Sequence, residues 1–182
     1  MRKAVVFAMM LVVSVVATCL FLTACATILN HPPAPEQQQL IVRQFQLTEN
    51  EARVHFFTGA GFNEAFEVYV NDVKVGLIGN PKEYIAIDLP PGTYAFTWMP
   101  ISTGSSLFKP IPLQLTIANK ELIFMRANWQ DASSAATQFG AIGVAVGIKF
   151  ATYFTPDVRL KDRLNEYTLI LLNKDSKAVL SK

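Results

Sequence analysis

The chain has 182 residues, 51% of them hydrophobic and 16% charged, with a formal net charge of +2. No long basic run is present, which excludes the electrostatic footprint of a nucleic-acid binder. There are two histidines and two cysteines, and the clustered spacing of three or four His, Cys or carboxylate ligands that a zinc site needs does not occur.

Arg2 and Lys3 open the chain, and residues 4–22 are apolar except for Ser14, Thr18 and Cys19. A basic start, an apolar stretch and small residues before a processing point describe a secretory signal. The apolar stretch alone is also just long enough to span a bilayer as a helix, since about 20 residues suffice. Leu22-Thr23-Ala24-Cys25 decides between the two, because it resembles the bacterial lipobox. That resemblance implies cleavage before Cys25 and diacylglycerol on its thiol, with residues 1–24 as the signal peptide. Ala26, rather than aspartate, follows the cysteine, which in such lipoproteins implies transport to the outer membrane, the periplasmic face being the expected side. Several acyl chains hold a protein stably, each buried CH₂ contributing about 0.8 kcal/mol.

Removing residues 1–24 leaves 14 basic against 14 acidic residues, a neutral chain long enough for one domain with a sizeable core. With Cys19 removed and Cys25 acylated, no thiol remains for a disulfide or a metal. Residues 25–38 carry three prolines and a polar run, predicting the lipidated cysteine and an extended tether, since proline-rich segments act as semi-rigid spacers. The domain is then expected over residues 39–182.

From Gln39 onward the dominant period is two. Ala52, Val54 and Phe56 alternate with Arg53, His55 and Phe57, and Ile85, Ile87 and Leu89 with Tyr84, Ala86 and Asp88. Tyr94, Phe96 and Trp98, and then Leu113, Leu115 and Ile117, continue the pattern. These are half-buried strands, apolar toward a core and polar toward water, and their spacing predicts a mainly β fold built as a single sandwich of the Ig/prealbumin kind. Asn71-Asp72 predicts a two-residue hairpin. In LPPGTY, Pro91 and Gly92 predict a type II turn with Gly92 at positive φ.

VYVNDVKVG followed by IDLPPGTY resembles the PEGA-type β-domain and related small lipoproteins of undetermined function, with Asp72 standing where those domains usually have glycine. The resemblance spans roughly residues 50–130 plus a final strand at 167–172. It implies a compact β-sandwich on a lipid anchor and brings no catalytic residues with it.

Residues 131–154 satisfy two templates. At helical spacing Gly140, Gly143 and Gly147 fall on one small-residue stripe suited to close packing. At period two Ile142, Val144, Val146, Ile148 and Phe150 alternate with small residues and Lys149. The alanine-rich lead-in favours a helical insertion.

Candidate chemistry is sparse. His31 falls in the tether, and His55 shares the polar face of a strand with Arg53, which predicts an exposed residue rather than a general base. Glu83 and Asp88, five apart on a strand, point to opposite faces. Gly59-Ala60-Gly61 lacks the third glycine of a dinucleotide loop, and residues 102–106 read as a flexible loop rather than a nucleophile elbow. Trp98 and Trp129 continue strand patterns and are expected as core or rim aromatics. The loops over residues 58–66 and 99–110 are where binding is expected to be built.

The sequence therefore predicts a noncatalytic envelope lipoprotein without cofactor, metal or nucleic-acid partner, held by lipid and meeting an envelope protein or glycan. The alternative is a membrane-active protein that self-associates through residues 131–154, and more remotely an envelope hydrolase.

Overall fold

The computed structural model describes residues 32–47, 49–59, 64–101, 107–131 and 150–172. The chain divides into two units, and every described residue belongs to the second, His31–Lys182. Among the described residues this unit is mainly β, with ten strands in two sheets. The strands are β1 (Ala52–Phe57), β2 (Phe66–Val70), β3 (Val73–Ile78), β4 (Glu83–Leu89), β5 (Gly92–Pro100), β6 (Phe108–Pro110), β7 (Leu113–Ile117), β8 (Leu122–Asp131), β9 (Phe150–Pro156) and β10 (Thr168–Leu169).

The larger sheet has the order β10-β4-β1-β8-β9-β6 and the smaller β3-β2-β5-β7. The chain shuttles between them, so strands that pair are often distant in sequence. β1 is antiparallel to β4 but parallel to β8, and β6 is parallel to β9. The smaller sheet is antiparallel throughout. The alternating residues converge as their period predicts: Val54, Phe56, Ile85, Ile87, Phe96, Trp98 and Ile117 join one core drawn from both sheets.

The hairpin forms where Asn71-Asp72 predicts it, with φ of 47° and 65° at the two residues. Asn71 is also bound to β5, its Oδ1 accepting from the Ala95 amide at 2.8 Å. Asp72 makes no such bond among the described contacts, so its left-handed backbone is a cost without a return. Asp72→Gly is expected to raise stability by up to about 1 kcal/mol, read as a higher urea midpoint with unchanged slope.

The LPPGTY turn departs from expectation, because Gly92 does not adopt a left-handed φ and is instead the first residue of β5, opposite Ile117. The position leaves little room for a side chain. The Tyr94 ring arches back over it so that its hydroxyl donates to the Pro90 carbonyl at 2.9 Å, and a Cβ on Gly92 would stand 3.3 Å from that ring.

The tether prediction is corrected at its C-terminal end. Pro33 bridges Ile170, the Ala34 amide donates to the Leu169 carbonyl at 2.8 Å, and Ala34 is buried. A helix, α1 (Glu36–Arg43), follows where a polar spacer and then strand period were expected. Its residues are good helix formers, with an acid in the first turn and a base in the last, both favoured by the helix dipole. It closes with the Phe45 amide on the Val42 carbonyl and the Gln46 amide on the Ile41 carbonyl, a pair of bonds that demands a left-handed residue between. Phe45, with φ of 54°, fills that position where glycine is usual.

Helix α1 and two 3-10 turns, Val158–Leu160 and Leu164–Glu166, cover the outer face of the larger sheet. Val42, Leu160, Leu164 and Leu169 pack there on Phe57, Tyr84 and Phe124. Strand β1 is consequently buried on both faces rather than half-buried. The helical insertion over residues 131–154 is corrected at its flanks, since Asp131 ends β8 and residues 150–154 belong to β9. Its interior, with Gly140, Gly143 and Gly147, lies outside the described residues, as do Cys25 and the signal segment.

Candidate functional site

The strand directions bring three connections to one end of the domain. Phe57 at the close of β1 lies level with Arg126 of β8, which runs on to Asp131 before the chain returns at Phe150. Strand β2 begins at Phe66 opposite the end of β5 at Pro100, and the Ile101 amide donates to the Ala65 carbonyl at 3.0 Å. Two bonds clasp this part of the smaller sheet to the larger one. Trp98 Nε1 donates to the Tyr153 carbonyl at 2.9 Å, and Thr152 Oγ1 donates to the Trp98 carbonyl at 2.9 Å. The two loops singled out from the sequence thus leave the same end as the 131–150 connection. Residues 60–63, 102–106 and 132–149 lie outside the described residues. The described start of the first loop is tightly placed: a Cβ on Gly59 would collide with the Ala127 carbonyl oxygen, and Thr58 Oγ1 donates to the Pro81 carbonyl at 2.7 Å.

Three aromatic rings gather at this end on the adjacent strands β8, β9 and β6. Trp129 meets Phe150 edge-on with centroids 5.1 Å apart, and Phe150 stacks on Phe108 at 5.2 Å. By register they share the face that carries Ala127 and Phe154 into the core, so the apolar interior reaches the surface here. Trp129 is 44% exposed, and Ile101, just past the end of β5, 41%. Trp98, by contrast, is a fully buried core residue against Phe66. The sequence marks Phe150 only as the last residue of an alternating apolar run and Phe108 only as part of the 99–110 loop, and nothing in it joins the two.

The second notable group lies under α1. His55, expected on a solvated face, is fully buried, and Arg53 nearly so. The imidazole stacks on Phe124 at 4.6 Å and on Tyr84 at 5.9 Å, with Phe45 edge-on at 6.4 Å. Neither ring nitrogen has a hydrogen-bond partner among the described residues. Burial, reinforced by the Arg53 charge, pushes its pKa down to about 3, so the ring is neutral at pH 7. Arg53 is paired with Asp88 across the β1–β4 ladder by Nε at 2.5 Å and Nη2 at 2.9 Å, a bidentate arrangement. Its Nη1 also points to the Ile41 carbonyl of α1 at 3.4 Å. Burial likewise pushes the Tyr84 hydroxyl up to about 12 against the opposing pull of Arg43 and Arg53. This group fixes the helix to the sheet and offers a substrate no approach to His55.

Two further carboxylates, Glu83 and Asp157, are engaged as well. Glu83 accepts from the Gly79 and Asn80 amides and from Asn80 Nδ2, closing the turn before β4, far from the Arg53 partner Asp88. Arg159, with Arg126 beside it, holds the Asp157 carboxyl below its ordinary range. Among the described residues no group of three His, Cys, Asp or Glu is placed to hold a metal ion, and no helix is long and apolar enough to cross a membrane. No family model and no curated protein matches the chain.

Proposed function

We propose that this chain is a noncatalytic lipoprotein of the cell envelope, anchored through Cys25 to the outer membrane, whose domain is a sandwich of the Ig/prealbumin kind working by contact. The observation that carries the contact reading is exposed Trp129 packed on the half-buried rings of Phe150 and Phe108, where three connections leave the domain. Exposed apolar surface at such a place marks interaction rather than packing. The engagement of His55, Arg53 and Asp88 beneath α1 supports the noncatalytic part.

The docking of Pro33 and Ala34 also shortens the spacer. Pro33 lies eight residue steps beyond Cys25, and a chain extends by at most about 3.6 Å per residue, so the domain edge stays within roughly 29 Å of the acylated cysteine. The domain works close to the membrane.

Intact mass of the protein extracted from envelopes tests the anchor. Loss of residues 1–24 and the added mass of acyl chains are expected, and Cys25→Ser should accumulate as an unmodified precursor. A retained signal segment with an unmodified Cys25 in the normal protein refutes the reading.

A further inference from the structure

We infer that the aromatic end of the domain rests on the lipid bilayer that holds the anchor, with Trp129, Phe150, Phe108 and Ile101 at the depth of the headgroups. This rests on the reading of Cys25 as acylated and names the partner of the contact surface.

The argument is one of reach and chemistry. Pro33 bridges Ile170, and the pairings β10–β4, β4–β1 and β1–β8 carry that level across to Met125 of β8. Four strand spacings of about 4.8 Å across, and four residues of about 3.3 Å along β8, put Trp129 roughly 20–25 Å from Pro33. That is inside the roughly 29 Å available between Pro33 and Cys25, so anchor and aromatic end can meet one plane. Tryptophan and phenylalanine on a polar-rimmed surface are the side chains that partition to the membrane interface. The other exposed apolar residues, Leu40 and Ile41 of α1, Val158 and Leu171, lie on the covering layer or just past β10 and have no exposed aromatic ring among them. Lys82 and Lys109 stand at the aromatic end with Glu64, so charge there is mixed and the contact is apolar rather than ionic. It should therefore persist at high salt.

The chain has two tryptophans, and Trp98 is fully buried, so quenching from the lipid phase reports on Trp129. The full lipidated protein, reconstituted into phosphatidylcholine vesicles with brominated acyl chains, is expected to lose the Trp129 part of its emission in low and high salt alike. Trp129→Phe keeps a ring against Phe150 and should leave only the unquenched Trp98 signal. Intact mass of the same sample reports the acyl chains. Acylated Cys25 with Trp129 unquenched by brominated lipid overturns the inference and leaves the anchor standing. Protection of that unquenched Trp129 from aqueous acrylamide would mean that residues 132–149 or a second copy cover it instead. An unmodified Cys25 with no lipid quenching overturns both. Lipid quenching without acylation overturns the anchor alone.

Discussion

Asp88→Ala is expected to destabilise the domain by about 3–5 kcal/mol, because it strands a charge that folding has taken out of water. The Arg53 side chain retains 5% of its exposure and Asp88 20%, so solvent reaches the carboxylate but hardly the guanidinium. With the carboxylate gone, Arg53 keeps only the long contact to the Ile41 carbonyl. Removing both charges together is a different matter, since a buried pair replaced by apolar groups of similar volume is often neutral. Arg53→Met combined with Asp88→Ala should therefore recover most of what the single change loses. Urea unfolding of wild type, both single variants and the double variant gives the cycle. A single-variant loss below about 1 kcal/mol, the size of an exposed pair, would show that the pair is solvated after all.

The same pair shows where the sequence was legible and where it was not. Alternation placed the core side of β1, β4, β5 and β7 correctly, because one face of each strand is uniformly apolar and the period of two leaves no choice. The other face of β1 misled. Arg53 and His55 look solvent-facing, and only the neighbouring Phe57 and Tyr84 hinted that a second apolar layer lay above them. That layer comes from distant pieces contributing few apolar residues each: Val42 from a helix rich in glutamine, Leu160 and Leu164 from two short turns. Pieces of one turn or two display no readable period. Parallel ladders such as β1–β8 are equally hidden, since they depend on the chain crossing to the other sheet and back. At the candidate contact surface the sequence located the loops but not the trio, whose rings come together only through the β8–β9–β6 order.

His55 should make the domain lose stability as pH falls from about 6.5 toward 3, well before most carboxylates titrate. The native state holds the ring neutral with a pKa of about 3, whereas the unfolded chain protonates it near 6.5. Between those values the unfolded state binds the extra proton, so stability rises with pH across the window and is lost on acidification, by about 1.4 kcal/mol per pH unit. From pH 6.5 to 4 this amounts to about 3 kcal/mol, a large share of the 5–15 kcal/mol typical of a domain. The charged groups facing the ring cannot offset it: Arg53 and, through Tyr84, Arg43 are both cationic, and Asp88 is already engaged with Arg53. Glu67 and Asp157, whose carboxyls are held below their ordinary range, add their own losses at lower pH, which a variant isolates from the histidine. His55→Phe retains a ring between Phe124 and Tyr84, removes both unpartnered nitrogens and should flatten the profile between pH 6.5 and 4.5. His55→Leu serves the same purpose if the larger ring overpacks the site. The comparison is of slopes, so a uniform offset in stability at pH 7 does not disturb it. Urea midpoints falling in parallel for wild type and both variants would place the acid sensitivity elsewhere and show that the buried imidazole finds a proton acceptor in the folded state.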